Sequence, residues 1–503
     1  MDMRTSIQYP DGVILVCMDA NFLVQQLGAW SKKTGPLHRR LALALEKTIE
    51  EGILLAGTRL PAERKLAQAL ALSRTTVVTT YDTLRAEGWL ESRPGSGTWV
   101  AAGRAARALH STHTSVLQGS SLINVLDNKD SEVVDFTAAI TKPLGTLPRH
   151  LFSISPDVQE ALLNERNYMP LGLPALKDAI ARYYRQMGVP TDPDQILVTA
   201  GAQQAISLIT GLYVQRGDTV LTENPTYFGA LQAFRLAGAR VAAVNVGVRH
   251  VEAAKLRDRI LANGPRLIYL TPTHQNPTGA VMPESERREI ARLSGECGIP
   301  VVEDCTVADM EIDGEAPKPL AAFAENGPVL SIGSLSKLYW AGLRIGWVRA
   351  SPAAISLLAS IKATADLGSP LLNQVIASQL LGAVDQAKAI RREELRSRRG
   401  LLMELLGKHI PEWTFIPPAG GLCLWIRLKG YDTRHFTQFA ARFGVALTPG
   451  SMFAADDAYN DFLRLPFLLD EEAITTGVLR LQYAWDEFRS IASVGARRAA
   501  MIV

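Results

Sequence analysis

Apolar positions recur along this chain with two different periods, and the change from one to the other divides it into parts. After Gly35-Pro36, Leu41, Leu45, Thr48 and Ile49 repeat at helical spacing, and Gly52 closes the segment. Leu60-Pro61 opens a second helix carrying Leu66, Ala67 and Leu70. Past a break at Ala71-Leu72-Ser73, a third helix sets Val77, Tyr81 and Leu84 on one face and stops at Gly88. Trp89-Leu90-Glu91-Ser92, the run Arg93-Pro94-Gly95-Ser96-Gly97 and Thr98-Trp99-Val100 read as strand, tight turn and strand.

Residues 101–132 lose this patterning and are rich in Ala, Ser, Thr, Arg and His, the composition of a linker. From Val133 onward helical stretches alternate with short β-rich runs at Gln195–Thr199, Thr219–Thr222, Leu267–Leu270, Pro300–Glu303 and Val329–Ile332. That alternation predicts an α/β domain with a mostly parallel sheet. Gly421–Leu428 and Val478–Tyr483 are expected to be strands of a smaller α+β lobe. The predicted organisation is an N-terminal extension over 1–34, a helical and hairpin unit over 35–100, a linker over 101–132 and the α/β domain over 133–503.

Composition narrows the function classes only a little. With 503 residues, 47% hydrophobic and 20% charged, and a mean hydropathy of +0.06, the chain is of ordinary globular type. A net charge of +3 is too mild to imply a nucleic-acid partner, so that case must rest on a local motif. Cys17, Cys297, Cys305 and Cys423 are scattered without CxxC spacing, which favours a reducing compartment and argues against a zinc site. The apolar run Val13–Met18 is too short to span a bilayer. A cytoplasmic protein with no membrane partner is expected.

Three helices followed by a hairpin are the pattern of a winged helix-turn-helix, whose recognition helix enters the major groove by its N-terminal residues. Those residues are Ser73-Arg74-Thr75-Thr76. Arg74 can donate two hydrogen bonds to a guanine, while Ser73, Thr75 and Thr76 offer hydroxyls to phosphates or bases. Arg64 on the preceding helix and Gly95 in the wing are candidate backbone contacts. The plainer reading makes Ser73 and Thr75 helix caps. The strings Gly57–Arg64, Ser73–Val77, Gly88-Trp89-Leu90 and Gly95–Val100 together resemble the GntR family of DNA-binding domains, which implies an operator of double-stranded DNA. Val78 departs from relatives that carry a basic residue there, so no operator sequence carries over.

The chemistry-bearing motifs lie further on. Ser334-Leu335-Ser336-Lys337 is followed by Gly342-Leu343-Arg344-Ile345-Gly346. A lysine among small hydroxyl residues suits a Schiff base to an aldehyde cofactor, with Ser334, Ser336 and Arg344 on its phosphate. Gly201-Ala202-Gln203-Gln204 begins a helix after a strand, where the N–H groups of Ala202 and Gln203 form an anion site. Asp304 ends an apolar strand and can pair with a protonated pyridine nitrogen. Asn276, in Gln275-Asn276-Pro277-Thr278-Gly279, can bond a phenolic oxygen, and Tyr227 can stack on the ring. Taken singly, these are a common turn, a turn residue and a core tyrosine.

Their order resembles fold-type I, pyridoxal 5′-phosphate-dependent aminotransferases, and Pro418-Ala419-Gly420-Gly421 and Leu479-Arg480-Leu481 extend the match. The resemblance implies that Arg480 grips a substrate α-carboxylate and that Tyr168 reaches the phosphate from a partner subunit. A GntR-type unit joined to such a domain is what the MocR/GabR family looks like. It implies a homodimeric transcription regulator that senses an amino compound or the cofactor itself. One departure stands out: relatives carry a tyrosine shortly after the aspartate, and Asp304-Cys305-Thr306-Val307-Ala308-Asp309 has none. Losing that donor to the phenolic oxygen argues against efficient transamination. The expected function is therefore a ligand-responsive regulator rather than an enzyme, the alternative being an active aminotransferase with an accessory DNA-binding unit.

Overall fold

The computed structural model of the chain describes residues 35–50, 57–93, 97–101, 132–164, 168–246, 250–324, 327–456 and 458–500, with residues 7, 8, 14, 15, 20, 23, 24, 27, 30 and 54. The chain divides into two compact units. One comprises Met1–Phe136, Lys429–Pro449 and Thr475–Val503, the other Thr137–Leu428 and Gly450–Ile474.

In the first unit, helices α1 (Leu37–Glu50), α2 (Glu63–Ala69) and α3 (Arg74–Ala86) precede strands β1 (Leu90–Arg93) and β2 (Gly97–Val100). The two strands pair antiparallel from Leu90↔Val100 to Arg93↔Gly97. Helix α3 starts where it does because Ser73 Oγ accepts the Thr76 N–H at 3.1 Å, a cap worth about 1 kcal/mol. It buries Val77, Thr80, Tyr81 and Leu84, and the Tyr81 hydroxyl donates to the Pro61 carbonyl at 2.9 Å. The core also takes in Leu23, Val24, Leu27 and Trp30. The expected extension over 1–34 therefore supplies core side chains to the winged-helix unit. Gly95 and almost all of the 101–132 linker lie outside the described residues.

The second unit is built on seven strands: β3 (Ile196–Thr199), β4 (Thr219–Asn224), β5 (Arg240–Asn245), β6 (Leu267–Leu270), β7 (Val301–Asp304), β8 (Val329–Ser334) and β9 (Gly346–Arg349). Their order is β3-β9-β8-β7-β6-β4-β5. All are parallel except β9, which runs antiparallel to both β8 and β3. Strands β3, β6 and β7 are buried along their whole length, as apolar runs covered on both faces must be. Helix α4 (Ala202–Tyr213) follows β3 directly. A smaller antiparallel ladder pairs β10 (Cys423–Arg427) with β11 (Phe462–Pro466), Trp425 lying opposite Arg464.

The last element, helix α5 (Glu471–Ala500), corrects an expectation, because Val478–Tyr483 lies inside it and is not a strand. Its buried side chains Ile474, Val478, Leu481, Ala484, Trp485 and Phe488 follow the helical period. Trp485 packs edge-on against Tyr431 and Phe436, with ring centroids 4.7 and 5.2 Å apart. The strand of the smaller ladder is β11, sixteen residues earlier.

Candidate functional site

In an open parallel sheet, the C-terminal ends of the strands converge on one edge, where loops carry the chemistry. Here β3 leads to Gly201 and α4, β4 to Tyr227, β6 to Asn276, β7 ends on Asp304 and β8 on Ser334. Because β9 runs the other way, Arg344 returns to the same edge just before it starts.

Lys337 stands at the centre. Its Nζ donates to the Ala139 carbonyl at 2.6 Å. Burial, then the neighbouring Arg464 guanidinium, pulls its amine down to about 8, and Asp304 opposes that shift. Lys337 is therefore more readily deprotonated than a surface lysine, as a nucleophilic amine needs to be.

Asp304 is held at both oxygens. Thr306 N–H donates to Oδ1 at 2.9 Å, and the fully buried Tyr269 hydroxyl donates to Oδ2. Burial and the adjacent carboxylate raise Tyr269 well above the usual phenol range, so it stays a donor. Tyr227 OH lies 3.1 Å from Gln203 Oε1, and burial pushes it up to about 12. The Asn276 side chain, after β6, has no hydrogen bond among the described residues.

A cradle for an anion sits beside them. Gly201, with φ +103, begins α4 without any side-chain cap, leaving the Ala202 and Gln203 end of the helix to an outside acceptor. The Arg344 guanidinium lies over Gly201, so close that a Cβ there would come 3.2 Å from Nη2, and it donates to the Ala200 carbonyl at 2.6 Å. Ser336 N–H donates to Ser334 Oγ at 3.2 Å, and Ser336 Oγ is buried with no partner among the described residues. An orphaned hydroxyl, an uncapped helix start and a guanidinium meeting at a glycine suit a phosphate.

The arginine of this site is Arg464, not Arg480. Arg464 on β11 is 3% exposed, donates to the Thr137 carbonyl, and stands 4.8 Å from the Phe453 ring centroid. Its cationic field reaches both Lys337 and Tyr227. Arg480 on α5 belongs to the other unit, where Nη1 donates to the carbonyls of Glu132 at 2.8 Å and Gly444 at 3.1 Å. Tyr168 is 73% exposed, with no hydrogen bond to this group among the described residues. Sequence reasoning also missed Tyr269, although Tyr269-Leu270-Thr271-Pro272 runs directly into the Asn276 motif.

In the first unit, Arg64, Ser73, Arg74 and Thr75 are exposed and Thr76 is half-buried. Ser73 and Thr76 are bonded to each other, Oγ to Oγ1 at 2.8 Å, so the cap reading of Ser73 holds beside any DNA role. Arg64 and Arg74 project from α2 and α3 with no ion pair among the described residues.

Residues 154–481 match the family "Aminotransferase class I and II", and residues 37–100 match "Bacterial regulatory proteins, gntR family". An uncharacterised HTH-type transcriptional regulator of Bacillus subtilis, YisV, is 29% identical over 85% of this chain and 91% of its own length. A probable rhizopine catabolism regulatory protein of Rhizobium meliloti, MocR, is 29% identical over 76% of this chain and 79% of its own. Among solved structures, the α-aminoadipate aminotransferase LysN of Thermus thermophilus, complexed with N-(5′-phosphopyridoxyl)-L-leucine, superposes with a TM-score of 0.67. It is 28% identical, over 75% of this chain and 96% of that one.

Proposed function

We propose, on the premise that the chain belongs to the aminotransferase class I and II family and carries a gntR-family DNA-binding domain ahead of it, that it is a MocR-type transcription regulator whose aminotransferase-like domain senses an amino compound. The cofactor this domain implies is pyridoxal 5′-phosphate, and the residues present fit it. Ser334, Ser336, Arg344 and the start of α4 would hold its phosphate, and Asp304 its ring nitrogen. Asn276 and Tyr227 would flank the ring. When bound, the cofactor supplies an aldehyde for amines and an electron-withdrawing ring.

Every other part of the mechanism belongs to the chain. Lys337 offers a nitrogen whose proton is easily lost, and Asp304, fixed at both oxygens, presents a carboxylate of set direction. Arg464 offers a planar fork to a ligand carboxylate, which a lysine would not match. The observation that carries the reading is the meeting of Lys337 and Asp304, at the edge of the large sheet, with Arg464 of the smaller ladder, in a chain that also presents Arg74 on a capped recognition helix. The stretch Asp304–Asp309, which holds no tyrosine, supports sensing over turnover. The complete Lys337, Asp304, Asn276 and Arg464 set favours, as second reading, a working aminotransferase.

The protein is proposed to be cytoplasmic and to work as a homodimer on double-stranded operator DNA. Tyr168, Leu171, Trp340, Leu367 and Leu372 are large exposed hydrophobics. They are drawn together where a Cβ on Gly368 would meet the Met169 backbone and Asn373 bonds the Leu343 carbonyl. Such a patch suits a second copy of the chain, whose Tyr168 would complete the phosphate cradle.

Cofactor-loaded protein, selected DNA and an amino-acid panel decide between the readings. Borohydride should fix the cofactor on the protein but not on Lys337→Ala. Arg74→Ala should lower affinity for selected DNA by roughly 1–3 kcal/mol and leave random DNA nearly unaffected. Sustained keto-acid production at about 1 per second or more, with DNA affinity indifferent to the same compounds, would establish the enzyme instead.

A further inference from the structure

Alternate residues of a strand face opposite sides of its sheet. Val302, Leu330, Ile332 and Val348 pack with Ala205, Ile206 and Ile209 of α4. Asp304, two residues after Val302, shares that face with its donor Tyr269. Gly333 and Trp347 hold the alternate positions and face the other way, where Trp347 meets Tyr183 of the helix Pro174–Gln186 with ring centroids 6.1 Å apart. A cavity of about 430 Å³ opens there, behind the candidate site, and no role assigned so far uses it.

Inside the cavity the acceptors are satisfied and the donors are not. Asp309 accepts the Tyr183 hydroxyl at 2.8 Å and pairs with Lys388 at 3.0 Å, and Glu311 pairs with Arg392 at 2.7 Å. The Tyr184 hydroxyl, on a residue 1% exposed, accepts from Trp347 Nε1 at 3.1 Å. The Thr273 hydroxyl, on a residue 5% exposed, accepts from Arg287 Nη2 at 2.9 Å. Neither hydroxyl has an acceptor for its own proton among the described residues. Burial holds the Tyr184 phenol well above its usual range, so it stays a donor. At the mouth the balance is reversed. Glu315, Asp385 and Lys318 are exposed there and form no ion pair among the described residues, so free carboxylates outnumber the free ammonium.

We infer that this cavity is a second ligand site, which takes a free amino acid without any bond to Lys337. Buried protons in need of an acceptor suit the ligand's carboxylate, and the mouth carboxylates suit its ammonium. Trp347, Tyr183 and Met187 give an apolar or aromatic side chain a wall, and the cavity is of the size that small-molecule sites have. The site goes beyond the proposed function, which places its ligand at Lys337 and Arg464. Ser334 and the loop that follows Asp304 are walls of this cavity as well as parts of the site in front.

The probe is L-phenylalanine, titrated by calorimetry into the cofactor-loaded full chain after borohydride treatment, which occupies the Lys337 amine. It should bind, while phenethylamine and 3-phenylpropionate, each lacking one of its two charges, should bind at least about tenfold more weakly. Tyr184→Phe should weaken L-phenylalanine about tenfold, the loss expected for one hydrogen bond to a charged group. Glu315→Gln combined with Asp385→Asn, both at exposed positions, should weaken it about threefold. Arg464→Ala, a change in the site in front, should leave it within about twofold, as independent sites do. Absence of binding, equal binding of the three compounds, or full affinity in Tyr184→Phe and the mouth variant overturns the cavity as a site. Loss in Arg464→Ala alone also overturns it, by returning the probe to the site in front, and leaves the proposed function standing. If borohydride fixes no cofactor, the proposed function falls, and the same titration on the untreated chain still decides the cavity.

Discussion

The tripeptide Leu-Arg-Leu occurs twice near the end of this chain, at 463–465 and again at 479–481, and the two copies have opposite fates. On β11 the leucines of the first copy are fully buried on one face while Arg464 turns from the other toward Lys337. On α5 only Leu481 of the second copy is buried, Leu479 is 38% exposed, and Arg480 ties two backbone carbonyls in a different unit. Identical local sequence thus yields a buried cation beside Lys337 in one place and a structural clasp in the other. The period of the flanking residues decides between them.

The sharpest way to break this comparison is through the leucines. Leu481→Ala should cost about 2–5 kcal/mol in denaturant unfolding, whereas Leu479→Ala should change stability by no more than about 0.5 kcal/mol. Equal losses would put 478–483 back in a two-sided strand.

Next come the arginines as ligand grips, read by absorption titration of cofactor-loaded protein with L-amino acids. Arg464→Ala should weaken binding about 100-fold and Arg464→Lys about tenfold, since the lysine keeps the charge and loses the fork. Arg480→Ala should stay within about threefold of the parent; if it alone loses binding, the two copies have been assigned the wrong way round.

A smaller effect is expected on pH dependence. With Lys337 pulled down to about 8, its amine is protonated below that pH and free above it. The rate of cofactor uptake by the cofactor-free chain should rise through a midpoint near 8. Removing the neighbouring cation in Arg464→Gln should move that midpoint upward, while Arg480→Gln leaves it in place. The least effect belongs to Arg480→Ala on thermal unfolding, about 1 kcal/mol for its lost carbonyl bonds.

Much of the second unit was legible because buried parallel strands are written as unbroken apolar runs. The five strands expected between residues 195 and 332 are all present, with ends that coincide or shift by at most two residues. Lys337, Asp304, Arg344, Ser334, Ser336 and the start of α4 follow from them, since each motif sits next to a strand end. The C-terminal lobe was harder. Val478–Tyr483 contains Val, Leu and Tyr in a run that also fits a strand, and only the wider window from Ile474 to Phe488 reveals the helical stripe. That single misreading hid β11 and carried Arg464 away with it. Tyr269 was invisible for another reason: its partner Asp304 lies 35 residues on, and only the β6–β7 pairing brings them together.

The double hold on Asp304 has a consequence for how the chain tolerates change. One donor is a backbone N–H, that of Thr306, which no substitution at that position other than proline removes. The other comes from a strand with no part in the 305–309 loop. The aspartate's orientation is thus insulated from the side chain at 306, and its rotational entropy is already surrendered before anything binds. The side chain at 306 can therefore vary without loosening the carboxylate. Holding a group at this carboxylate and changing the loop beside it are thus separable in such a scaffold.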